Sequence, residues 1–175
     1  KIIPMYGLTE CVRVSYLPPD QIDLRPDSAG IEIPNCQAIV VDDSGKEVPP
    51  GVAGELVITG PNVMPGYWNN PELTAQVFRP GPAPGQTQLY TGDLFRKDDQ
   101  GYLYFIGRKD DMIKSRGERV SPKEVENVLS HFPGVAEVAV IGIPAELLGQ
   151  ALAAFIVSAP GATLTENDIL RQSTL

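Results

Sequence analysis

Seventeen glycines and seventeen prolines punctuate this chain, and they constrain its fold more than any other feature. Glycine readily takes up turn conformations and proline has no N–H to give to a helix or ladder, so frequent Gly and Pro cut a chain into short pieces. Over the first two-thirds those pieces read as short strands. "QAIVVDDSGKEV" predicts a strand, a turn at Asp43-Ser44-Gly45 and a short return. "GELVITG" predicts a second strand, and "GYLYFIG" a third, entered through a turn at Asp98-Asp99-Gln100-Gly101. "NPELTAQVF" predicts a short helix with Asn70 as cap and Pro71 in its first turn. "RPGPAPGQTQ", residues 79–88, has the composition of a surface loop.

After residue 111 the texture changes. In "SPKEVENVLSHF", Ser121 and Glu124 stand at capping-box spacing, Pro122 holds the first helical position, and Val125, Val128, Leu129 and Phe132 recur on one helical face. Two apolar strands follow, "VAEVAVIGI" and "ALAAFIVSA", and "TENDILRQ" begins another capped helix. Helix, strand, strand, helix describes a small α+β layer. The boundary therefore falls near residues 108–111, inside the run "GRKDDMIKSRGERVSPKEVE" (107–126). The run is locally basic: between residues 107 and 123, Arg108, Lys109, Lys114, Arg116, Arg119 and Lys123 outnumber Asp110, Asp111 and Glu118. It reads as a joint between two bodies.

The formal net charge of -8 argues against nonspecific nucleic-acid binding, which needs a basic surface. Residues 1–107 carry 7 basic and 13 acidic groups and residues 108–175 carry 7 and 9, so the basic run is a local feature. Cys11 and Cys36 lack metal or redox spacing, and His131 is the sole histidine, placed as a helix-end residue. No apolar run is long enough for a membrane helix and no signal-peptide pattern occurs, so membrane insertion is not expected. A reducing cytoplasm with two free thiols is the expected setting. The abrupt ends, "KIIPMYGLTE" and "NDILRQSTL", give the expectation of a piece of a longer protein.

Three motifs carry polar chemistry. "YGLTE" (6–10) sets an aromatic ring, a glycine, a hydroxyl and a carboxylate within five positions. It suits stacking, close backbone approach, a phosphate hydrogen bond and a metal ligand, although a motif of this kind read alone is more often a strand-to-turn segment with a polar rim. "YTGDLF" (90–95) places Asp93 in an apolar setting, where it either accepts hydrogen bonds from a vicinal diol or caps a turn. Arg108 can fork two oxygens of a sugar or phosphate, or stand as a surface charge, and Gly117 either admits a ligand or serves its turn.

Taken together, "YGLTE", "GELVITGPNVMPGYWNNPELT", "YTGDLFRKDDQGYLYFIGRKDDMIKSRGERVSPKEVE" and "GVAEVAVIGIP" resemble the adenylate-forming superfamily. That superfamily joins acyl-CoA synthetases, firefly-luciferase-like enzymes and the adenylation domains of peptide synthetases. The resemblance implies an α+β chain in two parts. Residues 1–108 would be the C-terminal part of the large AMP-binding domain, a β-rich, distorted β-barrel subdomain. Residues 109–175 would be the hinge and an incomplete α+β lid.

The resemblance also implies an activity: ATP and Mg²⁺ activate a carboxylic acid as its acyl-adenylate with loss of pyrophosphate, and the thiol of CoA then displaces AMP. Tyr6 would stack on adenine, Gly7 would allow close backbone approach, and Thr9 would hydrogen-bond the α-phosphate. Glu10 would hold Mg²⁺, Asp93 would bind the ribose hydroxyls, and Arg108 would support ribose or phosphate. Asp110 matches the hinge about which the lid swings between half-reactions. Gly117 matches a glycine lining the pantetheine tunnel, and Lys114 would approach the adenylate in the second conformation.

The phosphate loop is expected upstream of these residues, and the lysine of a C-terminal Gly-Lys pair beyond them. The 175 residues alone are therefore expected to be inactive in adenylation. "DDMIKSRGERVSPKEVE" is more similar to acyl- or aryl-CoA synthetases than to peptide-synthetase domains. An acyl-AMP ligase that loads a carrier protein's pantetheine, a non-catalytic adenylate-binding module and a purely structural fragment are the alternatives.

Overall fold

The computed structural model describes residues 2–145 and 149–172, and the chain divides between Lys109 and Asp110 into two units. In the first, three two-residue strands, β1 (Met5–Tyr6), β2 (Ser15–Tyr16) and β3 (Ile31–Glu32), form a small antiparallel sheet in that order. A larger antiparallel sheet holds β4 (Gln37–Val41), β5 (Ala53–Thr59), β6 (Phe78–Pro80), β7 (Thr87–Lys97) and β8 (Leu103–Arg108). Strand β7 is its spine. One edge pairs with β5, and the other is shared end to end by β6 at residues 87–89 and β8 at residues 93–97.

The apolar alternation of these strands turns Ala38, Val40, Leu56, Ile58, Leu89 and Phe95 into one core with Val14 and Leu103. Phe95 is fully buried and takes edge contacts from Tyr6 and Phe105, with ring centroids 4.9 and 5.4 Å away. The two sheets are stitched where Ala29 N donates to Leu103 O at 2.8 Å and Leu103 N returns to Gly30 O at 2.9 Å. Lys97 adds a side-chain stitch, donating to Glu32 and, at 3.0 Å, to Ala38 O. The sheets curl into a half-barrel, the β-rich architecture expected.

The local signals mostly hold. Helix α1 (Pro71–Val77) begins where the Asn70 side chain accepts from Leu73 N at 3.0 Å. The return strand after Asp43-Ser44-Gly45 is only a single bridge, Val41 to Glu47. The loop expected over 79–88 narrows to 81–86, because Arg79 and Pro80 pair with Gln88 and Thr87. Pro80 sits on the short β6, where a missing N–H is tolerated.

The second unit contains β9 (Ile113–Ser115), β10 (Glu118–Val120), α2 (Pro122–Ser130), β11 (Val135–Ala145), β12 (Gly149–Ser158) and α3 (Glu166–Gln172). Its sheet runs β10-β9-β12-β11, antiparallel throughout. Ser121 caps α2 by accepting from Glu124 N, and Thr165 Oγ1 accepts from Asp168 N at 3.3 Å at the start of α3. Ile113, Leu129 and Val140 form the core, joined by Val125 and Phe132. Val128 departs from the expected face and is 58% exposed, because it lies at the margin of the apolar stripe. His131 caps the C-terminal end of α2, with Nδ1 2.6 Å from Asn127 O. No helix among the described residues is long and apolar enough to cross a membrane.

The β7–β8 turn generates a pH-dependent prediction. Asp98 accepts from Tyr102 N at 2.8 Å, Gln100 N at 3.0 Å and Arg25 Nη1 at 2.8 Å. Burial pushes its pKa up, but the backbone donor of Tyr102, with Tyr104, Gln100 and Arg25, outweighs this and holds it below the ordinary carboxylate value. Its stabilisation is therefore complete above the unfolded value of about 3.9 and disappears as pH falls through the lower folded value. Asp98→Asn should lower stability at pH 7 by about 1 kcal/mol. The loss should shrink toward pH 2, as read from urea midpoints. Equal midpoints for both proteins at pH 7 would contradict this assignment.

Candidate functional site

The site is built on an irregularity in β7. Glu55 pairs with Leu94 and Val57 with Tyr90, so Thr91, Gly92 and Asp93 together face the single residue Leu56. Such a bulge re-aims side chains and needs a permissive residue. Gly92 supplies it with φ of 70°, a value that strains a residue with Cβ. Thr91 Oγ1 braces the bulge by donating to Leu56 O at 2.8 Å and accepting from Asp93 N at 3.1 Å.

Asp93 is therefore a strand residue in a bulge, not a turn cap, and it is buried. An ionised carboxylate removed from water needs charged or hydrogen-bonded partners. The Tyr6 hydroxyl donates to Oδ2 at 2.5 Å, and Arg108 Nη1 donates to Oδ1 at 2.7 Å. Arg108 reaches it because the two residues are register partners across β7 and β8. Two donors leave part of the carboxylate's roughly four-fold accepting capacity unused. Burial, and then the hydrogen bond and charge of Asp93, push the Tyr6 hydroxyl well above the ordinary phenol value, so it remains a donor. The structure thus brings together Tyr6, Asp93 and Arg108, residues from the two ends of the first unit's sequence.

Beyond Tyr6 the chain doubles back. A Cβ on Gly7 would lie 1.9 Å from Val12 O, so a glycine is required there by the chain's own return. Thr9 and Glu10 occupy the turn, closed by Cys11 N and Val12 N on Leu8 O at 3.1 and 2.7 Å. Thr9 is exposed, while the half-buried Glu10 accepts from the Tyr67 hydroxyl at 2.6 Å. Burial and the neighbouring Glu10 push Tyr67 up to about 12. Sequence reasoning missed Tyr67. Its one signal was a place in "GELVITGPNVMPGYWNNPELT".

The remaining predicted residues lie in the second unit. Asp110 is its first residue, exposed in a turn. The segment with Lys114 and Gly117 is a hairpin: β9 and β10 pair from Ser115–Glu118 to Ile113–Val120. Arg116 and Gly117 connect them with φ of 53° and 83°, the signs of a type I′ turn. Lys114 is exposed on β9, and its backbone N donates to Gln150 Oε1 at 2.8 Å. No cluster of three metal-ligating side chains occurs among the described residues, and Cys11 and Cys36 are buried free thiols. Burial pushes Cys11 up to about 11, which leaves it unreactive as a nucleophile.

Two family models match: AMP-binding enzyme over residues 1–68, and AMP-binding enzyme C-terminal domain over residues 124–173. The long-chain-fatty-acid–CoA ligase of Escherichia coli O6:H1 is 41% identical over 165 residues, covering 94% of this chain and 28% of that protein. The indoleacetate–CoA ligase of Aromatoleum aromaticum is 39% identical over 171 residues, covering 97% and 32%. The crystal structure of ATP-bound MatB from Rhodopseudomonas palustris superposes with a TM-score of 0.90 at 37% identity, covering 99% of this chain and 33% of that one. The chain thus spans about a third of the length of the relatives it matches. With both models matching in order and a carboxylate set between tyrosine and arginine, the chain belongs to the adenylate-forming superfamily of AMP-binding enzymes.

Proposed function

We propose that this chain supplies the adenosine-binding half-site and the pivot of an AMP-forming acid–thiol ligase that makes acyl-CoA. The observation that carries the reading is the convergence of Tyr6 and Arg108 on the buried carboxylate of Asp93. A carboxylate held by two donors, with accepting capacity to spare, suits the vicinal hydroxyls of ribose. Tyr6, half-buried beside it, would stack on the attached base, and Arg108 would support ribose or phosphate. The relatives named as CoA ligases support the choice of reaction.

In the first half-reaction an oxygen of the substrate carboxylate attacks the α-phosphorus of ATP and pyrophosphate leaves. In the second, a thiolate attacks the acyl carbon and AMP leaves. Here the chain mainly positions groups and stabilises charge. The exposed Thr9 hydroxyl donates to an α-phosphate oxygen. Glu10 fits Mg²⁺ because that ion takes one or two carboxylates and completes its shell with phosphate and water oxygens; a denser ligand cluster is not needed. When bound, the ion would neutralise phosphate charge. The Tyr67 hydroxyl keeps the Glu10 carboxylate oriented toward this role.

Residues 1–108 form, in this reading, the end of the large AMP-binding domain, and residues 109–175 the hinge and part of the lid. Asp110 is the pivot. Gly117, whose missing side chain would meet nothing within 4 Å, suits close passage of the pantetheine arm of CoA. Lys114, exposed two positions before the turn, reaches the adenylate in the thiol-transfer conformation.

Two outcomes are expected. The full-length protein should catalyse carboxylate-dependent exchange of pyrophosphate into ATP and release free acyl-CoA, while the 175 residues alone should do neither. Turnover by the isolated chain would overturn the division of labour proposed here. Acyl transfer only to a carrier protein would replace CoA as the acceptor. For AMP binding measured by calorimetry, Tyr6→Ala should weaken affinity about 5- to 100-fold through lost base stacking. Asp93→Asn should weaken it by about 10-fold or more through lost charged hydrogen bonds. Unchanged affinity in either variant would remove that residue from the site.

A further inference from the structure

The bulge that carries Asp93 leaves the backbone of Gly92 outside the regular ladder. On one edge, three residues of β7 face one of β5, and on the other, residues 90–92 fall in the gap between β6 and β8. Both polar groups of Gly92 are nevertheless satisfied, by residues outside the proposed catalytic set. Its N–H donates to Glu55 Oε1 at 3.1 Å, and its carbonyl accepts from Lys109 N at 2.7 Å. Glu55 closes the circuit: its second oxygen, Oε2, accepts from Lys109 Nζ at 2.8 Å. Lys109 Nζ also lies 3.3 Å from Asp43 Oδ1. The Glu55 side chain is only 12% exposed, so this is no ordinary solvated ion pair.

We infer that Glu55 is a positioning residue that, with Lys109, clamps the Gly92 bulge and so fixes the ribose-binding carboxylate to the start of the pivot. The inference rests on the proposed nucleotide site and adds to it. Gly92 is the neighbour of Asp93, and Lys109 is the last residue of the first unit. One carboxylate therefore holds both the bulge that presents Asp93 and the residue from which the chain departs at Asp110. If the clamp opens, Asp93 loses its fixed aim at ribose and the pivot spreads back toward Arg108. Asp43 acts as a weaker second acceptor, since it is far more exposed than Glu55. Neither Glu55 nor Lys109 touches the reacting atoms in this scheme.

The test has two arms. In the 175-residue chain, amide hydrogen exchange is followed at Gly92 and Lys109, with Val57 and Ile58 as controls in β5. Glu55→Gln and Lys109→Met should each speed exchange at Gly92 and Lys109 by about 10-fold, the loss of one charged hydrogen bond, and leave the controls unchanged. Lys109→Arg should restore most of the protection that Lys109→Met removes. In the full-length protein, the same variants should raise the KM for ATP in pyrophosphate exchange by about 5- to 20-fold with little change in kcat. The double variant should be no worse than the more damaging single one, because both act through one circuit.

Wild-type exchange at Gly92 and Lys109 in both single variants would overturn the clamp, as would uniform acceleration that includes Val57 and Ile58. Local acceleration with an unchanged KM for ATP would overturn the link to Asp93. If Glu55→Gln fails to fold, Lys109→Met decides both points, because its partly exposed side chain lies outside the core. Absence of pyrophosphate exchange in the wild-type protein would sink the ligase reading, while the amide measurements would still decide the clamp.

Discussion

A carboxylate buried in the middle of a strand is the constraint around which the first unit is arranged. Asp93 loses the solvation that a surface aspartate keeps, and an uncompensated charge there would cost several kcal/mol. Compensation comes from two donors that neither the strand nor its immediate sequence provides. Tyr6 must arrive from the small sheet and Arg108 from the end of β8. Each is delivered by an apolar device. The Tyr6 ring leans on Phe95, and the β7–β8 register puts Arg108 opposite Asp93. Core packing and site geometry are thus one problem, with Phe95 packed against the ring that satisfies the charge two residues away.

The bulge in β7 follows from the same requirement. Leu89, Thr91, Asp93 and Phe95 keep a strand's alternation and are buried, while the bulge around Gly92 sets three residues of β7 against Leu56 alone. The cost is a stretch of backbone removed from the ladder, and buried backbone groups without partners are rare. Side chains take over: Thr91 Oγ1 serves Leu56 O and Asp93 N, while Glu55 serves Gly92 N. Polar residues near this point are therefore explained twice, once by the ladder they replace and once by the chemistry they are proposed to serve.

What was legible in the sequence is what is encoded locally. Asn70 before Pro71, Ser121 three residues before Glu124, and Thr165 three before Asp168 each cap a helix as expected, because a cap is a contact within one turn of chain. The strands at 37–41, 53–59 and 103–108 followed from apolar runs ended by turn residues. The bulge was illegible, since "YTGDLF" specifies a glycine but not which residues of β5 it slides past. Tyr67 and Glu55 were invisible as site neighbours for the same reason: their partners lie 57 and 37 or 54 residues away. The hairpin at 113–120 was not singled out within the basic run because its strands are three residues long, yet Arg-Gly between them satisfies a tight turn. Resemblance supplied Tyr6, Asp93 and Arg108 as a set, and no local rule would have joined them.

The passage from Lys109 to Asp110 illustrates how one run of sequence can end one body and begin another. The last two charges of the first unit are both locked in place. Arg108 is paired to Asp93, and Lys109 is held by main chain and side chain alike. From Asp110 the character reverses, with Asp110 and Asp111 exposed before Ile113 enters the second core. A charged residue exposed to water loses little when the backbone beside it rotates, whereas one locked in a buried pair resists. The contrast between the paired charges of Arg108 and Lys109 and the exposed ones of Asp110 and Asp111 is what the pivot proposed at Asp110 rests on. In that proposal the order Lys109, Asp110, Ile113 would combine a held last residue, a solvated next one and a core that resumes promptly.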